Sequence, residues 1–334
     1  MNIAIDISHI AYWNFYKNII KKLENQEHNV YIFIRERGPL LKVVQKEYKN
    51  QKNVIITGKY YKGRKKLFLH LLRIPVLIYF LYKYKVDVVS SDTFFIGLAS
   101  KFKNIPAILH SDDFEYTFSY KMTQLFSSKM IIPDVFPKTS KKDIYYRGCK
   151  ENAYLGKDYF TPQEHVLNNI ISDSSKYVFI RLVSKSSLNY LKADSIENEI
   201  EKLIGYLNER NIMVLIFSED SYKTNNENCK ILNPPIKDFH SILKYALCTV
   251  TEGDTMARES AVLGTPVVYM GGRTMRIHNY FNQYDSFLET NKLSDIIPFF
   301  ENILGNEASK EIEYNFDDIN QVMVDYIVDK ENNG

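Results

Sequence analysis

Cysteine is scarce in this chain: Cys149, Cys229 and Cys248 are the three in 334 residues, far apart and odd in number. No Cys-x-x-Cys pair exists, so neither a disulfide framework nor a cysteine zinc site is supported, and a reducing compartment fits best. A His-Glu-x-x-His motif, a Walker loop and a Gly-x-Ser-x-Gly elbow are also absent, which removes support for protease, kinase and hydrolase chemistry. The chain does not begin with a basic region followed by a long apolar run. It opens directly on the apolar strand Ile3 to Ile7, so no signal peptide is expected. A strong charge of one sign is missing too, because a formal net charge of +3 is too small for a general nucleic-acid binder. Finally, the first strand-to-helix turn, Ser8-His9-Ile10-Ala11-Tyr12-Trp13, lacks the glycine-rich phosphate fingerprint and offers a dinucleotide no cradle.

What is present is an ordinary globular balance, 45% hydrophobic and 25% charged, over a length that suits two domains. Short β-rich runs alternate with helical stretches. In the first half the strands read Asn2–Ile7, Val30–Arg35, Val54–Thr57, Val86–Ser91, Ala107–Leu109 and Met130–Ile132, with helical patterns at Trp13–Leu23, Leu40–Tyr48 and Leu67–Tyr84. Asp6 and Asp87 interrupt two of these strands. Around Tyr146 to Pro162 the pattern loosens into a linker, and the alternation then restarts with Tyr177–Leu182, Met213–Phe217, Ile231–Leu232, Leu247–Thr251 and Val267–Met270. Asp194 and Glu197 make a capping box for a helix whose face carries Ile196, Ile200, Leu203, Ile204 and Leu207. Strands that are apolar on both faces and separated by helices imply parallel sheets covered on both sides. The expected fold is α/β: two Rossmann-like doubly wound domains facing a cleft, at 1–155 and 156–315, then a C-terminal helix and tail at 316–334. Leu67–Tyr84 approaches the length of a membrane span but contains His70, Arg73 and Pro75, so it reads as a buried or amphipathic helix.

The strongest chemical signal is Thr251-Glu252-Gly253-Asp254-Thr255-Met256-Ala257-Arg258-Glu259, followed by Leu263-Gly264-Thr265-Pro266. It reads as strand, tight turn, helix, turn. Gly253 permits a sharp turn and a close approach to a ligand. The N–H groups of Asp254, Thr255 and Met256 point out of the helix start, where the dipole favours a diphosphate. Glu259 lies about 6 Å further along the axis than Thr255 and leans back toward the N-terminus, within reach of ribose hydroxyls. The plainer alternative is a capped surface helix whose glutamate pairs with a neighbour.

This segment resembles the nucleotide-sugar site of GT-B glycosyltransferases and of non-hydrolysing UDP-N-acetylglucosamine 2-epimerases. From Met1 to about Leu288 the chain is similar to an uncharacterised prokaryotic family of the GT-B superfamily, on the markers Tyr154-Leu155, Thr255-Met256, Arg258-Glu259 and Leu263-Gly264-Thr265-Pro266. The resemblance implies a GT-B-like fold, a small-residue turn holding the diphosphate and a glutamate holding the ribose. Asp254 departs from the small or neutral residue usual there; an anion beside a diphosphate repels it unless a cation offsets the charge. Its alternative role is to cap the helix.

Acids close two strands of the first half. Ser90-Ser91-Asp92-Thr93 ends one, and His110-Ser111-Asp112-Asp113-Phe114-Glu115 ends the next. Carboxylates at strand ends suit a general base for a sugar hydroxyl or a C–H proton. The 2-epimerases also carry acids at the ends of two adjacent strands of their first domain, and Asp92 lies at the first such position and Asp112 near the second. With Asp113 and His110 at the same strand end, Asp92, Asp112, Asp113 and His110 are the catalytic candidates; helix capping is the alternative for Asp92 and Asp112. His9 is a weaker candidate. Arg181 and Lys185, after the second half's first strand, are placed to neutralise a leaving diphosphate without a metal, and Gly271-Gly272-Arg273 is a softer candidate for lining the cleft. Eight basic residues and no acidic one lie from Lys59 to Lys85, which with Phe68, Leu69, Leu72 and Phe80 suits either an anionic membrane surface or an ordinary helix with basic ends.

The expected function is a GT-B glycosyltransferase taking a nucleotide-activated sugar, UDP-linked in the first instance, with no cofactor and no metal. Its acceptor is a sugar or lipid-linked sugar of surface polysaccharide or glycoconjugate synthesis, and its setting is cytoplasmic, peripheral to the membrane. The alternatives are a UDP-sugar 2-epimerase and a non-catalytic nucleotide-sugar binder. The epimerases resemble one another in a His-Arg pair after the first strand of their second domain, whereas Phe179-Ile180-Arg181-Leu182-Val183 has no histidine.

Overall fold

Strands that are buried along their whole length must lie inside a covered sheet, and both halves of the chain are built on such strands. In the computed structural model the described residues are 1–60, 70–171, 176–183, 194–218, 220, 222–224, 226–233, 236, 238–305 and 314–329, with backbone alone at 169 and 194–197. The chain divides into two compact units, Met1–Tyr154 with Asn315–Gly334, and Leu155–Tyr314.

The first unit holds β1 (Asn2–Ile7), α1 (Ile10–Asn25), β2 (Asn29–Glu36), α2 (Leu40–Glu47), β3 (Val54–Lys59), α3 (Ile74–Lys83), β4 (Val88–Ser91), α4 (Phe94–Lys101), β5 (Ala107–His110), α5 (Thr117–Phe126), β6 (Lys129–Pro133), β7 (Asp143–Tyr146) and the short α6 (Asn152–Leu155). Its seven strands run parallel in the order β3-β2-β1-β4-β5-β6-β7. One face of the sheet packs Ala4, Phe33, Val89 and Leu109 against Leu77 and Leu81 of α3 and Ile96 and Ala99 of α4. The apolar stripe of α1, with Phe15, Tyr16, Ile19, Ile20 and Leu23, is also fully buried. The last helix of the chain, Ile319–Val328, packs on α1, and its buried Asn320 donates to the Ala153 carbonyl at 2.9 Å.

The second unit repeats the plan with β8 (Tyr177–Leu182), α7 (Asp194–Asn208), β9 (Met213–Ser218), β10 (Cys229–Ile231), α8 (Phe239–Lys244), β11 (Cys248–Thr251), α9 (Asp254–Val262), β12 (Val267–Tyr269), β13 (Phe287–Glu289) and α10 (Leu293–Gly305); α11 is the Ile319–Val328 helix of the first unit. The six strands are parallel in the order β10-β9-β8-β11-β12-β13. Ile200, Leu203, Ile204 and Leu207 of α7 meet Val178, Ile180, Val214 and Ile216 of the sheet, together with Ile296 and Phe300 of α10. The side chains of Asp194, Ile196 and Glu197, and with them the capping box, lie outside the described residues.

Three departures from the sequence reading have local causes. β7 and β13 are short edge strands with partly exposed residues, too brief for a hydrophobic period to stand out. The Leu67–Tyr84 run is not one helix among the described residues: α3 starts at Ile74, with Arg73 as its cap and Pro75 in the first turn, where a missing N–H has no intrahelical partner to lose. Asp6 does not break β1, because the Arg73 guanidinium pairs with both of its oxygens, and Arg73 also donates to Thr57. Arg73 is therefore turned into the protein and is removed from any basic surface; Phe68 and Leu69 lie outside the described residues. Among the described residues no helix is long and apolar enough to cross a membrane.

Candidate functional site

In each unit the strand order reverses beside the first strand, at β1/β4 and at β8/β11. Ligands of doubly wound sheets bind outside the carboxyl ends of the strands at such a reversal.

In the second unit, Arg181 near the end of β8 is level with Thr251 at the end of β11. The Thr251 hydroxyl accepts the Gly253 N–H at 3.0 Å and tightens the turn into α9. Gly253 is the helix cap, and its φ of −91° and ψ of 117° are open to any residue. What the glycine supplies is space: a Cβ there would meet the end of the Arg181 guanidinium, which would have to shift. A cation therefore sits against the start of α9, where helix geometry leaves the first N–H groups without intrahelical acceptors. Asp254 and Thr255 are half-buried and Met256 is buried. Asp254 is not the cap. Its Oδ2 lies 3.5 Å from Nη1 of the buried Arg258, one turn along, which offsets its charge.

Glu259 is 7% exposed, and its Oε1 lies 3.1 Å from Nε2 of His240 on α8. Both helices are tied together at their other ends, by Lys244 Nζ donating to the Leu263 carbonyl at 2.9 Å and Thr265 Oγ1 to the Leu243 carbonyl at 2.9 Å. The glutamate is thus held in place. Buried Glu252 accepts the Val183 N–H at 2.9 Å and anchors the chain leaving β8. Gly271 is a packing glycine: a Cβ would strike the Tyr269 ring and the Glu252 carbonyl. Lys185 lies outside the described residues. Sequence reasoning missed His240, which no motif marks.

The first unit answers with a carboxylate. Asp92 follows β4, and its Oδ2 accepts from Ser8 Oγ at 3.0 Å. Its Oδ1 is buried without a hydrogen-bond partner. Burial raises the Asp92 carboxyl to about 7, with the Asp6 charge adding to the rise and the Ser8 hydrogen bond and Arg35 opposing it. Asp92 does not cap α4, since Thr93 is the cap residue and donates its own N–H to Ser91 Oγ at 3.0 Å.

The other acids and histidines are committed elsewhere. Asp112 is 4% exposed; it accepts from Tyr12 Oη at 2.7 Å and pairs with buried Lys150, which also lies 3.3 Å from Glu151. The Tyr12 hydroxyl and the Lys150 ammonium together hold the Asp112 carboxylate in the turn after β5. Asp113 accepts the Tyr116 N–H at 3.0 Å in the turn leading to α5. His110 is fully buried, 3.0 Å from Tyr146 Oη and with its ring centroid 4.4 Å from that of Phe15, which makes it part of the core. His9 caps α1 through Nδ1, accepting the Ala11 N–H at 3.3 Å. Among the described residues no group of three or more His, Cys, Asp or Glu side chains is gathered for a metal ion.

The family model described as protein of unknown function, DUF354, matches residues 1–332. The chain belongs to the DUF354 family. An uncharacterised relative from Methanocaldococcus jannaschii is 25% identical over 318 residues, covering 91% of this chain and 92% of the relative. Among solved structures, the UDP-GlcNAc 2-epimerase of Neisseria meningitidis bound to UDP-GlcNAc superposes with a TM-score of 0.75 at 14% identity, over 98% of this chain and 100% of that one. MurG of Acinetobacter baumannii superposes with a TM-score of 0.61 at 15% identity, over 98% and 99%. Likenesses at this identity carry the fold alone, which is GT-B-like: two parallel-sheet α/β domains with sheets of seven and six strands among the described residues.

Proposed function

We propose that this member of the DUF354 family is a glycosyltransferase that takes a nucleotide-activated sugar, with the nucleotide at the β8/β11 reversal of its second unit. One observation carries the reading: the Arg181 guanidinium is packed against Gly253 at the start of α9, so a fixed cation and a helix dipole act on one spot. A leaving diphosphate gains most from such preorganised charge, because the donors need no rearrangement as negative charge develops. Glu259, held by His240 one turn further on, suits the ribose hydroxyls. Asp254 does not repel the diphosphate in this reading, because Arg258 lies beside it.

The acceptor hydroxyl belongs with the first unit, and Asp92 is its base. A carboxyl raised to about 7 takes up a proton far more readily than an ordinary one while still ionising near neutrality. A lipid-linked acceptor at a membrane surface draws support from exposed Leu72, Tyr79 and Tyr82, with Lys83 over the Tyr79 ring. A second reading, 2-epimerisation of a UDP-sugar, is favoured by the higher overall likeness to the epimerase, 0.75 against 0.61 for MurG. Two features weigh against it: Arg181-Leu182-Val183 has no histidine, and Asp112 is tied to Lys150.

Incubation with UDP-, GDP-, CMP- and dTDP-sugars, with and without candidate acceptors, separates these readings. Acceptor-dependent release of nucleotide supports transfer. A new epimeric sugar nucleotide formed without acceptor supports epimerisation and removes the transferase. Binding with neither product leaves a non-catalytic binder.

A further inference from the structure

Beneath the carboxyl edge of the first sheet lies a second charged group that the proposed reaction does not use. Arg35, near the end of β2, is 6% exposed. Its Nε–H is buried and has no hydrogen-bond partner. The contact that Arg35 does make is with the Tyr60 ring, whose centroid lies 5.3 Å from Cζ. The contrast is Arg73, equally buried, which is satisfied by Asp6 and Thr57. A buried donor left without an acceptor costs free energy, so its retention calls for an explanation.

Register shows what stands near it. Ile34 pairs with Ile7 and Asp6 with Ser91, so Asp92, the residue after β4, comes level with Ile7 and Ile34, and Arg35 stands one residue further along, level with Ser8, at the ends of β2, β1 and β4. At ordinary strand spacing the backbones of Arg35 and Asp92 lie about 10 Å apart, a gap that an arginine side chain and one small group span. Asp92 Oδ1 is likewise buried and unpartnered. Asp6 and Asp92 both act on the Arg35 charge through space, favouring its charged form against burial. Asp6, however, is spent on Arg73, and Arg37 adds a further cation over the Tyr60 ring at 4.5 Å. The balance at this edge favours an anion.

We infer that the β1/β4 edge of the first unit binds a sugar bearing an anionic substituent, a carboxylate or a phosphate, with Arg35 taking the anion and Asp92 a hydroxyl of the same molecule. This rests on the reading of the first unit as the acceptor side. A planar guanidinium matches two oxygens of either anion, and a charge-assisted hydrogen bond to a carboxylate or phosphate is stronger than one to a neutral hydroxyl.

The test is titration of the full-length protein with glucuronate, glucose 1-phosphate and glucose, each with and without saturating UDP. The wild type is expected to bind both acidic sugars at least about tenfold more tightly than glucose. Arg35→Gln brings them to the level of glucose and leaves UDP affinity unchanged; Arg35→Lys keeps part of the preference. A second measurement stands if the glutamine variant does not fold: in ¹⁵N-arginine-labelled wild type, the Arg35 Nε–H resonance, assigned by its absence in Arg35→Lys, shifts with acidic sugars and not with glucose. No preference in the wild type, a preference kept in Arg35→Gln, or an unmoved Nε–H resonance overturns the inference. Wild type that binds acidic sugars but not UDP retains this site and sinks the nucleotide reading instead.

Discussion

The two sheets open on strands of equal length, yet the fifth residue of one is Asp6 and the fifth of the other is Arg181. Both positions lie beside the strand-order reversal, level with Ser91 and Thr251. In the second unit the arginine presses on a glycine at a helix start, and an acid waits one turn up that helix. In the first unit the aspartate is consumed by Arg73, and the groups left at the edge are Asp92 and Arg35. One topology thus gathers the strand ends at the same place in both units, and a single residue type at one strand position sets whether a glycine-packed arginine or an arginine-paired aspartate lies there.

The largest expected effect breaks the first unit's half of that comparison. Asp92→Asn should lower transfer about 10²- to 10⁴-fold, the usual range for losing a general base, with UDP affinity unchanged. The wild-type rate should climb as pH rises through about 7, since the base acts ionised. Stability should move the opposite way. A carboxyl with a folded value of about 7 lies above its ordinary 3.8, so its contribution is complete below about 4 and is lost as pH rises through 7. Wild type should therefore lose more melting temperature between pH 5 and pH 8 than Asp92→Asn, and an equal loss in both would remove the elevated carboxyl.

Next in size is the brace under the first edge. Asp6→Ala strands the buried Arg73 charge and should cost about 3–5 kcal/mol, read from urea midpoints. The third test sharpens the second unit's half. Gly253→Ala should displace Arg181 and weaken UDP binding about tenfold, roughly the value of one charge-assisted contact. In an Arg181→Ala background the added methyl has room, so the same change should cost little more. Additive losses in that double-mutant cycle would mean that Gly253 and Arg181 act independently.

The alternation of apolar runs and helical stretches made both sheets legible, because fully buried parallel strands such as Ile3–Ile7 and Val178–Ile180 leave no other reading. β7 and β13 were hidden because an edge strand of three or four residues is too short to show a period. The helix start at Gly253 and the acid at Glu259 could be found from a strand-turn-helix pattern. Tertiary partnership could not: nothing local to Asp112 announces Lys150, 38 residues on, and nothing near Glu259 announces His240. Arg73 reads as surface charge until Asp6, 67 residues away, is known to need it.

Calorimetric titration of UDP into wild type and Glu259→Ala tests the central claim most directly. Binding to wild type should be saturable and about tenfold or more weaker in the variant, whose melting temperature stays close to that of wild type. Equal affinity in the two proteins, or no binding to wild type, would contradict that claim.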